Sequence, residues 1–214
     1  MKKSLLTIVS LLGIFTLLAS DSIAKQLKHN VTIVNNSDKR KELDKAAQQL
    51  KETAAKNPDL WQPLYYSALG YIKLFAFEKK KEGKDAQLDK ADVSIKQLLE
   101  MNPENSEVVT LHAYSLIMRL TVDPTNRGMD YSGEIFDNLL KAIRLDSNNP
   151  RAHFLMGRMK IGTAQFMGTG YGNACENLNK AHQIFEKGET LEDEFFPSWG
   201  KEPTAEVVNS YCKG

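Results

Sequence analysis

Charge imbalance and metal-binding side chains are what this sequence has least of. Lysine and arginine number 28 against 27 aspartate and glutamate, so the chain lacks the excess basic charge with which proteins bind nucleic-acid phosphates. Only two residues are cysteines and four are histidines, and no two histidines stand at the His-x3-His spacing of a helical zinc site. Phosphate-loop, nucleophile-elbow and metalloprotease motifs are also missing. These absences predict a protein that binds rather than catalyses, without nucleic acid, metal or cofactor.

Long apolar runs are rare as well, and the one that is present lies at the N-terminus. Leu5 to Leu18 is almost entirely apolar and follows the basic pair Lys2-Lys3. It is shorter than the roughly 20 residues that a transmembrane helix needs. The small residues Ser22 and Ala24 then provide a cleavage site, which completes the three parts of a secretory signal. We predict a signal peptide over residues 1–24 and an exported protein, periplasmic or secreted; the alternative is an uncleaved N-terminal anchor.

The residues that follow the signal are rich in β-branched side chains. Val31-Thr32-Ile33-Val34 predicts an extended N-terminal segment over residues 25–36. Ser37 is typical of the residue that caps a helix N-terminus, so a helical domain is predicted over residues 37–214.

The two cysteines, Cys175 and Cys212, both lie in the part of the chain that would be exported. An oxidising compartment allows a disulfide between them. In the chain-entropy model, closing a loop of this length would stabilise the fold by about 3–4 kcal/mol. The alternative is one buried thiol and one exposed thiol near the C-terminus, and the sequence leaves both open.

The main signal in the sequence is an internal repeat. Three turn segments recur at intervals of 45 and 44 positions, namely Asn57-Pro58-Asp59, Asn102-Pro103-Glu104 and Asp146-Ser147-Asn148. Ten positions after the middle residue of each turn stands a small residue: Ala68, Ala113 and Gly157. Before each turn, apolar residues recur at separations of three and four, which is one face of a helix. Each repeat is therefore predicted to be a pair of antiparallel helices.

These turns and small residues resemble those of the tetratricopeptide repeat family, in an exported bacterial type with long repeats of about 44 residues. The resemblance covers roughly residues 40–187. It implies an all-α fold in which helical hairpins stack into a right-handed solenoid, with a capping helix near residues 203–212. The usual repeat has about 34 residues. The extra length implies longer first helices, longer connecting loops, or both.

The resemblance also implies a function, because tetratricopeptide solenoids bind a peptide or partner protein on their concave face. Carried over by spacing, the partner-binding groove would contain the residues Tyr65, Lys73, Tyr114, Met118, Arg151, Phe154 and Arg158. Aromatic rings would supply contact area and the arginines would bind carboxylates in a bidentate manner. The alternative is that these rings pack between neighbouring helices. The identity of the partner does not follow from the sequence.

Two further functions remain open. Residues 168–173 are glycine-rich and follow a predicted helix, so a pocket for a small ligand, or an active site, could form beside this loop. The loop lacks the Lys-Ser/Thr of a phosphate loop, which favours a simple turn between two helices. The other alternative is a structural subunit of an envelope complex that is joined through its convex face or its ends.

Overall fold

The computed structural model of the chain describes residues 23–189 and 193–212. Within these ranges the regular structure is helical, with no strand, so the all-α prediction is confirmed. The helices are α1 over 23–36, α2 Arg40–Lys56, α3 Gln62–Leu74, α4 Lys81–Met101, α5 Ser106–Val122, α6 Pro124–Leu145, α7 Pro150–Met167, α8 Gly172–Lys187 and α9 Lys201–Tyr211. A short 3-10 helix, Phe75–Phe77, follows α3 directly.

Helix α1 occupies the residues for which an extended segment was predicted, and that prediction is wrong. Leu27, Val31 and Val34 are buried, whereas Thr32 between them is exposed. Separations of four and three place these three side chains on one helical face, and packing of that face outweighs the strand propensity of the β-branched residues. Residues 1–22 of the predicted signal peptide lie outside the described residues, so the domain boundary remains a prediction.

The three repeated turns end three successive helices. Asn57 is the C-cap residue of α2, Asn102 of α4 and Asp146 of α6. The next helix is then capped at its N-terminus in two cases, since the side chain of Asn105 accepts hydrogen bonds from the Glu107 and Val108 amides and that of Asn149 from the Ala152 amide.

The repeated small residues lie at equivalent buried positions in α3, α5 and α7. Ala68 and Ala113 are fully buried, and a Cβ atom added to Gly157 would lie only 2.5 Å from Leu178 Cγ in α8. A larger side chain at that position would separate the two helices.

From α2 to α9, each helix packs against the next one in sequence. Helix α5 also contacts both α3 and α7. One part of the buried core extends from α1 to α5 and a second from α5 to α9, and both contact the rings of Tyr114 and Trp199. The tetratricopeptide arrangement, with its right-handed superhelix, remains a prediction. Among the described residues, none of the helices combines the length and hydropathy that crossing a bilayer requires.

The C-terminal part folds back on the preceding helices. Residues 193–196 form a turn, and α9 packs on α8, close to where the capping helix was predicted. Gly200 is the N-cap residue of α9, with φ at 108°, a backbone conformation that favours glycine, and an added Cβ would lie 3.1 Å from Phe185. The structure joins Cys175, in the first turn of α8, to Cys212, directly after α9, by a disulfide with 5.5 Å between their Cα atoms.

Candidate functional site

The residues predicted to line a groove lie on α3, α5 and α7, and three of them, Tyr65, Tyr114 and Arg151, come together around Glu107 and Trp199. Tyr65 donates a hydrogen bond to Glu107 Oε2 at 3.3 Å, and Arg151 Nε donates to the same oxygen at 2.9 Å. Tyr114 stacks on the Trp199 ring at 5.3 Å between centroids. Phe154 is buried on α7, one turn after Arg151. The exposed guanidinium of Arg158 lies about 6.0 Å from the Phe154 ring.

Residues 193–200 of the same chain cover this face, which we call the covered face and define by Tyr65, Tyr66, Tyr114 and Arg151. The Trp199 indole donates a hydrogen bond to Tyr65 Oη at 2.8 Å, and Arg151 Nη1 donates to the Trp199 carbonyl at 3.2 Å. Tyr66 Oη donates to the Phe196 carbonyl at 3.1 Å. Tyr65 and Arg151 are 0% exposed, although Arg151, Glu107 and Phe196 also line a cavity of about 360 Å³.

A buried charge network lies at the centre of the covered face. Arg151 pairs with Glu107 and, through its other nitrogen atoms, with Glu189. Burial by itself would lower the pKa of Arg151, but Glu107 and Glu189 hold it above its ordinary value, so the guanidinium stays charged. Burial raises the pKa of Glu107, and the charge of Arg151 opposes that shift. Such a network is strongly destabilised if one partner is removed, because a buried charge would be left unpaired.

Lys73 and Met118 have structural roles. Lys73 Nζ donates to the carbonyl oxygens of Val34 and Asn35, at 2.9 Å for Asn35, at the C-terminal end of α1. A cation is favourable there because the last carbonyl groups of a helix carry partial negative charge. The sequence did not predict α1, so this role of Lys73 was missed. Met118 packs against the core at partial burial.

An apolar surface remains exposed at the other end of α7. Phe166 is 83% exposed and Met167 is 68% exposed, and Gly168, with φ at 66°, ends the helix directly after them. Beside the glycine-rich loop lies a cavity of about 240 Å³, lined by Phe136, Lys160, Thr163, Ala164, Thr169, Gly170, Tyr171, Asn173 and Ala174. The structure therefore places a pocket where the small-ligand alternative expects one. The sequence signal that was missed is the apolar pair directly before Gly168.

The C-terminus of α9 contributes to the same end of the molecule. The rings of Tyr171 and Tyr211 meet edge to face at 5.4 Å, and Gln165 Nε2 lies 3.5 Å from Tyr211 Oη. We call Phe166, Met167, the loop 168–172 and Tyr211 the open end. Lys160 supplies a cation at the cavity wall, where its ammonium group donates to Asn177 Oδ1 at 2.8 Å.

Another cavity, of about 480 Å³, lies between α2 and α4. It is lined by the residues Lys51, Ala54, Ala55, Pro58, Leu64, Gln97, Glu100 and Met101. It has no aromatic wall, which a flat apolar ligand would need for stacking. Within the described ranges, histidine, cysteine and acidic side chains do not converge into a group of three that could hold a metal ion.

Comparison with known proteins identifies structural neighbours but no relative by sequence. No protein-family model matches the chain, and no curated protein is similar to it in sequence. Among solved structures, the HusA haemophore from Porphyromonas gingivalis is similar, with a TM-score of 0.75 and 24% sequence identity over 86% of this chain and 90% of that chain. At this identity the likeness shows a shared all-α fold. Membership of the tetratricopeptide family remains a prediction.

Proposed function

We propose that this protein is an exported carrier that binds a flat, mostly apolar ligand of the tetrapyrrole class at the open end, without catalysing a reaction. The observation that carries this proposal is the exposure of Phe166 and Met167 beside the aromatic cavity. The fold likeness to a haemophore supports the choice of ligand class. Export is supported by the signal-like sequence of residues 1–24.

The size and lining of the open end favour a flat ligand over a compact one. A pocket that encloses a small molecule usually has about 300–1,000 Å³. The cavity of about 240 Å³ can hold one edge of a planar ring system, while the face of that ring system lies against Phe166 and Met167. Complete burial of a Phe or Met side chain contributes about 1.5–3 kcal/mol. Lys160 at the cavity wall would pair with a carboxylate of the ligand.

The test is a titration of the purified protein with haemin, followed by absorbance, in matched double variants. Phe166→Ala with Met167→Ala removes the exposed pair, and we expect the Kd to rise by about tenfold or more, which corresponds to about 1.4 kcal/mol. The control is Phe77→Ala with Met101→Ala, the same chemical change at two partly exposed residues elsewhere. Because Met101 lines the cavity between α2 and α4, the control also detects binding there. Equal affinities in the two variants, or no binding by the parent protein, would refute the proposal.

A second candidate is binding of a partner segment on the covered face, which is the function that the tetratricopeptide resemblance implies. It is favoured by the way residues 193–200 already occupy that face through Tyr66, Arg151 and the Trp199 indole. A partner would have to displace these residues. The test is a fluorescent peptide with the sequence of residues 193–200, added to the parent protein and to Trp199→Ala. Saturable binding that is tighter to the variant supports this function, and no binding to either protein contradicts it.

A further inference from the structure

The single disulfide among the described residues lies beside the open end. Cys175 follows Asn173 and Ala174, which both line the cavity, and Cys212 follows Tyr211 directly. One covalent link therefore holds the backbone of Tyr211 against the first turn of α8. A disulfide that only stabilises the chain can lie anywhere in the fold. The position of this one beside the cavity indicates that the residues next to it are held in place there.

The side chain of Tyr211, which is held in this way, contacts both the glycine-rich loop and the end of α7. The Tyr211 ring packs edge to face against Tyr171, which lines the cavity, with 83° between the ring planes. The hydroxyl group of Tyr211 lies within hydrogen-bond distance of Gln165, which directly precedes the exposed Phe166. Tyr211 is itself 40% exposed, so part of its surface remains accessible to a ligand.

Helix α9 has few other anchors near its C-terminal end. It is 11 residues long, and its buried residues are Thr204 and Val208. Isolated helices shorter than about 12–15 residues are marginally stable in water. The last turn, which contains Tyr211, therefore depends on the link from Cys212 to Cys175. Without that link, the ends of such helices open locally at low free-energy cost.

We infer that Tyr211 is a positioning residue of the ligand site, held against Tyr171 by the Cys175–Cys212 disulfide. This inference rests on the proposed function and adds a dependence of ligand affinity on the oxidation state of the two cysteines. In the reduction step, a dithiol reductant supplies two electrons and two protons, the bond between the two sulfur atoms breaks, and both cysteines become thiols. The reductant leaves as a disulfide. Tyr211 is then released and the aromatic wall of the pocket loses its support.

The test uses the full protein, haemin as the ligand, and serine in place of both cysteines, which avoids a reaction of haemin with free thiols. We expect Cys175→Ser with Cys212→Ser to raise the Kd by about threefold to tenfold, the range expected for the loss of one aromatic pair. Tyr211→Ala should raise it to the same extent, and the two changes together should have no larger effect than either alone. Tyr211→Phe keeps the ring and should restore most of the affinity.

A second measurement keeps the inference separate from the proposed function. Hydrogen exchange at residues 164–172 should become faster in the serine variant and in Tyr211→Ala, and remain at the parent rate in Tyr211→Phe. If haemin binds equally well to the parent protein and the serine variant, the inference is wrong and the proposed function stands. If haemin does not bind at all, the proposed function fails. Equal exchange rates in the parent protein, the serine variant, Tyr211→Ala and Tyr211→Phe would overturn the positioning role as well.

Discussion

Gly157 faces α8 at a distance that leaves no room for a methyl group. A Cβ atom at this position would lie 2.5 Å from Leu178 Cγ and 3.1 Å from the carbonyl oxygen of Ala174. Gly157→Ala therefore forces α7 away from α8 or moves Leu178 out of its rotamer, and overpacking of this kind costs about 1–3 kcal/mol. The same change removes a glycine from a helix interior, which by itself stabilises the protein by about 1 kcal/mol.

Gly162 provides the matched control on the same helix. It is exposed, and an added Cβ would find nothing within 4 Å. Gly162→Ala should therefore raise the free energy of unfolding by up to about 1 kcal/mol. The difference between the two variants, measured by urea denaturation, isolates the contact with α8 and should be about 1–3 kcal/mol. Equal free energies of unfolding for the two alanine variants would refute the close approach of α7 and α8.

Leu178→Ala makes the same argument testable as a double-mutant cycle. Leu178 is fully buried, so its truncation alone should cost about 2–5 kcal/mol. In that background the methyl group of Gly157→Ala enters the space that the leucine left, so the two changes together should cost less than their sum by about 1 kcal/mol or more. Additive effects would show that Gly157 and Leu178 do not share this space.

Three further predictions concern the covered face and the surface charges. Arg151→Ala should lower the free energy of unfolding by about 3–5 kcal/mol because Glu107 is left as an unpaired buried charge; a loss below about 1 kcal/mol in urea denaturation would contradict the buried pair. Trp199→Ala removes a stacked ring and an indole hydrogen bond, and it should lower the free energy of unfolding by about 2–4 kcal/mol. The near-ultraviolet circular dichroism signal should also become smaller. An unchanged signal and an unchanged denaturation midpoint would show that the covered face is open in solution. The hydrogen bond and charge of Lys81 hold the pKa of Asp123 at about 2, below its ordinary value of 3.8. The contribution of the Asp123 carboxylate to stability is therefore present above that ordinary value and is lost as pH falls through about 2. Carbon NMR of the carboxyl group should show this pKa, and Lys81→Ala should raise it.

The regular features of the fold could be predicted because they depend on local sequence. Asn57, Asn102 and Asp146 end helices where the repeat placed its turns, and Ala68 and Gly157 lie at equivalent buried positions. A turn or a small residue has the same local requirement in every copy of a repeat, so its spacing is visible without tertiary information. This is why the helical pairs were predictable.

Helix α1 and the role of Lys73 were not predictable in the same way. The β-branched run Val31 to Val34 favours a strand by local propensity, and only the burial of Leu27, Val31 and Val34 against the core makes it helical. Lys73 then caps a helix that local propensity does not indicate. Both errors have one cause, because packing between elements distant in sequence overrides local preference.

The occupant of the covered face depends on a contact across more than 130 positions, between Trp199 and Tyr65. Aromatic rings and arginine are the side chains expected at a binding surface, and they are equally suited to bury a segment of the same chain. Sequence spacing can therefore indicate that such a face will be occupied. It does not show whether the occupant is a segment of the same chain or a separate partner. Here residues 193–200 already satisfy Tyr65 and Arg151.

The same reasoning applied to the open end gives the opposite result. Phe166 and Met167 are large apolar side chains that the described residues leave mostly exposed, and the cavity beside them has an aromatic wall and a cation. Burial of their apolar surface against a ligand would be favourable, and the folded chain alone does not gain this stabilisation. To reach the rings of Tyr65 and Tyr114 on the covered face, a ligand must first displace Trp199. A ligand at the open end has no such cost, and this difference is the physical reason for proposing that the ligand binds at the open end.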